Sequence, residues 1–193
     1  MSMILFDQDN ERSLAVMKIE KANFSIKDIN KLLLEKNIKS KKRALEILAR
    51  DLLLKHMNEN DTISYNSHGA PIISNDKFIS ISHSKELIAI IISNKRCGVD
   101  IEKISQKTLD VYERFDTLFL AKNISQELAT LIWSTKEVIY KWFQKGKIDF
   151  KKDISIIKIS EGSEKKINAK FREKSFVLDY LKINNHFLVY FCG

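Results

Sequence analysis

"CGVDIEKI", Cys97–Ile104, is the stretch on which the fold turns. Val99, Ile101 and Ile104 are core-type residues, and Asp100 and Glu102 alternate with the first two. Successive side chains of a strand leave opposite faces, so both acids project away from the valine and isoleucine. Their Cα atoms then stand roughly 6.5–7 Å apart. Paired carboxylates repel unless something compensates, and a hard divalent cation is the usual compensation. The plainer alternative is a solvated strand face whose acids sit beside Lys95, Arg96 and Lys103. Gly98, one of only five glycines, is expected to let the chain turn closely into the strand.

Outward from this strand, the pattern alternates strands and helices. Upstream, "MILF" and "SLAVMKI" read as strands and "IKDINKLLLEK" as a short amphipathic helix. "SKKRALEILARDLLLKHM", Ser40–Met57, is a stronger helix, with Ser40 as its cap and Ala44, Ile47 and Leu48 on an apolar stripe. A turn at "NSHGAP" leads to strands at "FISIS" and "LIAIIIS", with a break at "NKRCG". Downstream, "LDVYERFDTLFL" and "SQELATLIWSTKEVIYKWF" have helical spacing, with Gly146 as the expected stop. "DISIIKIS", "KINAKF", "SFVLDYLKI" and "HFLVYF" then form an antiparallel meander, with turns at Glu161–Gly162 and Asn184–Asn185. Strands and helices in both halves predict an α+β fold.

The 193 residues carry 33 basic and 25 acidic side chains, a formal +8. Such a balance points to an anionic partner. Scattered aromatics without a recognition motif argue against nucleic acid. The longest apolar run, Leu87–Ile92, is too short to span a bilayer, and the first twenty residues lack the pattern of a signal peptide. A cytoplasmic protein without membrane attachment is expected. Cys97 and Cys192 are too few for a disulfide framework.

Two more clusters carry chemistry. In "WSTKEVIYKW", Trp133–Trp142, helical spacing of four places Trp133, Glu137 and Lys141 along one gently drifting face, with Lys136 to the side. Taken alone, Glu137 and Lys141 are equally an ordinary i,i+4 ion pair. In "SISHS", Ser80–Ser84, hydroxyls flank a histidine at a strand end. Together they suit a phosphate, through Ser82, His83 and backbone N–H groups.

The order "SISHS", "GVDIE", "WSTKEVIYK" resembles the 4′-phosphopantetheinyl transferases, specifically their single-chain Sfp-type branch. The resemblance covers all three signature motifs of that family. It implies a pseudo-dimer of two similar α+β lobes, each a small antiparallel sheet packed on a long helix. The lobes are residues 1–94 and 95–193, with coenzyme A in the cleft between them and the metal site in the second. It further implies transfer of the 4′-phosphopantetheine arm of coenzyme A to a serine of an apo acyl or peptidyl carrier protein, releasing adenosine 3′,5′-bisphosphate. Mg²⁺, with Mn²⁺ as a substitute, would be the cofactor, and a two-lobed chain would act as a monomer.

Residue by residue, the resemblance assigns Asp100, Glu102 and Glu137 to the metal. Glu137 or a metal-bound water is the base for the carrier serine, and Lys141 stabilises phosphoryl charge with Lys136 as its companion. Ser82 and His83 match residues at the nucleotide 3′-phosphate, with a further chemical role for His83. Arg43 and Arg50 are candidate coenzyme A phosphate contacts. Trp133 is structural. Many relatives have a basic residue in a G-[KR]-P turn, where this chain reads Gly69–Ala70–Pro71. That departure removes one phosphate contact, with His68 or Lys77 to compensate, and leaves open a non-catalytic coenzyme A sensor or scaffold. Val111, Tyr112, Phe115, Leu118 and Phe119 lie in the region that helps dock the carrier in relatives, most of them as core.

Overall fold

A computed structural model describes residues 2–59, 61–74, 76–116 and 124–193. The chain opens with the hairpin β1 (Met3–Gln8) and β2 (Arg12–Lys18), followed by α1 (Ile26–Glu35) and α2 (Lys41–His56). Next come the short β3 (Ser64–Tyr65) and β4 (Pro71–Ile72), then β5 (Phe78–His83) and β6 (Leu87–Ser93). The second half runs β7 (Cys97–Lys103), α3 (Gln106–Asp110), α4 (Gln126–Phe143), α5 (Phe150–Asp153), β8 (Ile154–Ser160), β9 (Lys166–Phe171), β10 (Lys174–Ile183) and β11 (His186–Cys192). The α+β expectation and the four-strand meander agree with this order.

Two large antiparallel sheets result, ordered β1-β2-β6-β5 and β7-β11-β10-β9-β8, with β3 and β4 as a separate two-stranded pair. Alternation along the strands sorts their side chains into three apolar layers. Ala15, Met17, Ile88, Ile90 and Ile92 face α2, where Ala49 and Leu53 meet them. Leu14, Val16, Leu87, Ala89 and Ile91 face the second sheet and pack on Cys97, Val99, Ile101 and Leu188. The far side of that sheet, with Phe176, Leu178, Phe187 and Val189, packs on Ile132, Val138 and Ile139 of α4. The stack is therefore helix, sheet, sheet, helix. Strand β6 is buried on both faces, which is why it reads as an unbroken apolar run.

Ser40 caps α2 by accepting from Arg43 N–H (3.4 Å), and Ser125 caps α4 by accepting from Leu128 N–H (3.1 Å). Helix α4 ends not at Gly146 but at Gln144, which takes the left-handed conformation (φ 58°). The helix expected over "LDVYERFDTLFL" also differs. Helix α3 lies earlier, stops at Asp110, and is followed by a single 3₁₀ turn at Tyr112–Arg114. Tyr112 and Phe115 are buried in the second core and Val111 packs against it, whereas Leu118 and Phe119 fall outside the described residues.

Gly98 plays a different part from the one expected. It lies inside β7, on the acid-bearing face, and a Cβ there would stand 2.3 Å from the Val138 carbonyl oxygen. The glycine lets the backbone of α4 approach the strand, and so brings the helix face with Glu137 and Lys141 down onto Asp100. Gly98→Ala is expected to lower stability by about 1–3 kcal/mol through overpacking. The effect would be read as a lower urea midpoint at unchanged m.

Candidate active site

Strand β5 is an edge of the first sheet and β7 an edge of the second. The two meet, and side chains close the junction that backbone pairing leaves open. Val99 N–H donates to Ser80 Oγ (3.1 Å), and Ser82 Oγ–H donates to Asp100 Oδ1 (2.8 Å). Lys141 reaches in from α4 and donates from Nζ to Asp100 Oδ1 (2.7 Å), Ser82 Oγ (3.0 Å) and the Val99 carbonyl (3.1 Å). One residue from each of the three motifs thus converges on a single carboxylate oxygen. The other oxygen, Asp100 Oδ2, is buried without a hydrogen-bond partner.

Glu102 and Glu137 complete the charged cluster. Burial, and next the negative charge of Asp100, push the Glu102 carboxyl up to about 6. Burial is also the first cause for Glu137, which rises to about 7. Lys141 opposes the shift, while Asp100 and Glu102 add to it. Both acids therefore sit where ionisation is costly, and added positive charge would relieve them. The donor set, three carboxylates of which one holds a buried unpartnered oxygen, fits a hard divalent cation. Among the described residues, however, no three His, Cys, Asp or Glu side chains are already grouped as ligands. Lys141 supplies the positive charge at Asp100.

A groove runs from this cluster under the β3–β4 turn. Its inner part, a cavity of about 250 Å³, is lined by Lys141, Ser80, Tyr140, Gln144, His68 and Ala70. Its outer part, about 150 Å³, shares Gly69, Pro71 and Ile81 with the inner and is lined by Arg43, Arg50, His83, Glu46 and Tyr65. The turn is held over the groove by Asn66. Its Oδ1 accepts from His68 and Ala70 N–H (2.9 Å each), and its Nδ2 donates to the Gln144 carbonyl (3.3 Å). His68, one of the two residues proposed to offset Ala70, lines the groove, while Lys77 is an exposed residue just ahead of β5.

Arg43, Arg50 and His83 are brought together in the outer groove, but not as free cations. Arg43 Nη1 donates to Glu46 Oε2 (3.2 Å) and lies 3.5 Å from His83 Nε2. Arg50 holds Asp51 Oδ1 (Nε 2.8 Å) and the Tyr65 hydroxyl (3.1 Å). Burial lowers the His83 pKa. Glu46 opposes that shift, and Arg43, Lys141 and Lys42 reinforce it. The surroundings thus favour the neutral imidazole, with Glu46 alone among the neighbours favouring its charged form.

Lys136 is the one predicted site residue that the fold sends elsewhere. It is 1% exposed, and its Nζ donates to the Phe115, Phe150 and Ile154 carbonyls (2.8 Å each) and pairs with Asp116 Oδ2 (2.8 Å). An ammonium has three protons, all of which this nest consumes. Lys136 ties α4 to β8, to the first residue of α5 and to Phe115 after the 3₁₀ turn, and makes no contact with the groove. Trp133 packs between Phe115 and Phe150, with ring centroids at 5.0 and 5.5 Å, the structural place expected of it. Sequence reading missed Glu46, a 7% exposed acid that orients both Arg43 and His83. Its signal was an acid in register with Ala49 and Leu53 on the buried stripe of α2.

Compared with known proteins, the chain is 33% identical over 122 residues to 4′-phosphopantetheinyl transferase gsp of Aneurinibacillus migulanus, a match covering 57% of this chain and 52% of that protein. The chain thus spans about half the length of the curated relative it matches. No protein-family model matches it. Among the described residues, no helix is long and apolar enough to cross a membrane.

Proposed function

We propose that this protein is a single-chain, Sfp-type 4′-phosphopantetheinyl transferase acting on an apo acyl or peptidyl carrier protein in the cytoplasm. The observation that carries the reading is the convergence of Ser82, Asp100 and Lys141, from three separate motifs, at the end of a groove lined with basic residues. The partial identity to a transferase of this kind supports it. The two-lobed, pseudo-dimeric organisation, with residues 1–94 and 95–193 as lobes, is supported by a shared strand order. In each half the strand before the long helix pairs with the last strand, giving β2-β6-β5 and β7-β11-β10.

In this reading coenzyme A lies along the groove, its nucleotide end at Arg43, Arg50 and His83 and its pyrophosphate at Lys141. Binding requires an incoming phosphate to compete with Glu46 for Arg43 and His83. Asp100, Glu102 and Glu137 would hold Mg²⁺, or Mn²⁺ in its place. That ion would contribute Lewis-acid neutralisation of pyrophosphate charge. The carrier serine oxygen attacks the phosphorus that bears the pantetheine arm, and the bond from that phosphorus to the bridging oxygen breaks. Adenosine 3′,5′-bisphosphate departs. Glu137 is the side chain placed to take the serine proton, its carboxyl raised by burial in the metal-free site. Lys141, released from one of its three present acceptors, stabilises the charge gathering on the phosphoryl oxygens. The +8 chain favours encounter with a polyanionic cofactor and an acidic carrier, and no second macromolecular partner or self-association is required.

Intact mass of an apo carrier protein, incubated with this protein, coenzyme A and Mg²⁺, tests the proposal. A gain of about 340 Da that requires metal and disappears with Asp100→Ala is the expected result. Tight coenzyme A binding with no transfer to any of several carriers would replace the enzyme with a coenzyme A sensor. Neither binding nor transfer would remove both.

A further inference from the structure

The two cysteines, 95 positions apart in the chain, are directly opposite neighbours across β7 and β11. Hydrogen bonding in this ladder falls on alternate pairs. Gly193 N–H donates to the Arg96 carbonyl and Ile104 N–H to the Asn185 carbonyl. By that alternation Cys97 and Cys192 occupy a non-hydrogen-bonded pair, where Cα atoms come within about 4.5 Å and side chains are closest. That separation lies in the range a disulfide spans, about 4.4–6.8 Å between Cα atoms. Both thiols are free.

Their surroundings differ. Cys97 is fully buried against the first sheet, with Sγ 3.8 Å from the Ile91 carbonyl. Cys192 is partly exposed and lines a polar cavity of about 240 Å³ with Asp9, Glu11, Arg12, Asp179 and Tyr190. Contact with Cys97 is the first cause holding the Cys192 pKa down, with help from the Ser93 hydroxyl and Arg12, against burial and Asp9. Cys97 is driven well up by the same contact and by burial. One sulfur is open to small solutes and the more readily ionised of the two, and the other lies buried behind it.

We propose that Cys192 and Cys97 form a peroxide-reactive pair, with Cys192 as the attacking thiolate and Cys97 as the resolving thiol. The Cys192 thiolate attacks one oxygen of hydrogen peroxide and breaks the O–O bond. Protein sulfur is oxidised to sulfenic acid, and hydroxide leaves, protonated to water. The Cys97 sulfur then attacks the Cys192 sulfur, forming the S–S bond and expelling the hydroxyl, which takes the Cys97 proton and leaves as a second water. The product staples the first strand of the second sheet to the last strand of the chain. It lies three residues from Asp100 and does not depend on the transferase reading.

The native protein would be treated with a small excess of hydrogen peroxide, with and without dimedone, and analysed by intact mass and peptide mapping. Wild type is expected to lose about 2 Da and yield a Cys97–Cys192 cross-linked peptide, reversed by dithiothreitol. Cys97→Ser is expected to accumulate the dimedone adduct at Cys192, and Cys192→Ser to stay unmodified. Wild type that gains oxygen without cross-linking, or stays unreactive, would overturn the proposal without recourse to any variant. So would labelling of Cys97 in preference to Cys192.

Discussion

Lys136→Met is expected to destabilise the protein by about 3–5 kcal/mol, the usual cost of removing one partner from a buried ion pair. Burial lowers the Lys136 pKa and the Asp116 contact opposes that shift, so the ammonium is retained only because its nest satisfies it. Methionine fills a similar volume, which separates loss of charge from loss of packing. What remains is a 2% exposed Asp116 stripped of its ammonium, and three carbonyls stripped of a donor. Against a typical total of 5–15 kcal/mol, this is a large fraction. Urea unfolding followed by circular dichroism would measure it. Adding Asp116→Asn should recover part of the loss, because the remaining group is then neutral. A single variant within 1 kcal/mol of wild type, or a double variant no better than the single, would mean that the nest does not hold α4 in place.

The same lysine shows where sequence reading reaches its limit. Lys136 and Glu137 are consecutive, so on a helix their side chains diverge by about 100° and cannot both serve one groove. Lys136 lies four residues after Ile132 and three before Ile139, both fully buried, and that register points it into the core. A motif match carries residue identity without orientation, whereas helical phase supplies it. Strand β6 and the meander were legible because two-face burial and period-two alternation are local signals. The pairing of β7 with β11, and hence the meeting of Cys97 with Cys192, was not. Register between strands distant in the chain is fixed by packing of both sheets. The cluster at Asp100 was legible as chemistry, since three motifs each contributed a residue. The lock on it, Gly98 beneath Val138, depends on an approach of helix α4 to strand β7 that no spacing encodes.

On the proposed transferase function, Glu137→Gln is expected to stabilise the metal-free protein above neutral pH while reducing transfer about 10²–10⁴-fold, the usual weight of a general base. The folded carboxyl sits near 7, against an ordinary 4.5. Between those values the folded state holds a proton that the unfolded state has released, so stability falls as pH rises through this window and levels off above it. At about 1.4 kcal/mol per pKa unit, and allowing for partial exposure, the loss from Glu137 is roughly 2–3 kcal/mol. Glu102, near 6, adds a smaller loss of the same sign that begins and ends at lower pH. The amide cannot ionise, so the variant should match wild type near pH 5 and exceed it near pH 8. On the proposed metal assignment, Mg²⁺ supplies the complementary measurement. At 100 times its dissociation constant it should stabilise wild type by about 2.7 kcal/mol, most strongly at pH 8 where Glu137 is ionised, and the variant much less. Thermal midpoints at pH 5 and 8, with and without Mg²⁺, read all of this without any carrier protein. A wild type that does not lose stability relative to the variant from pH 5 to 8, or a variant that gains as much from Mg²⁺, would remove Glu137 from the metal and from the role of base. A carboxylate that weakens the fold and yet sustains the reaction marks a position kept for its charge.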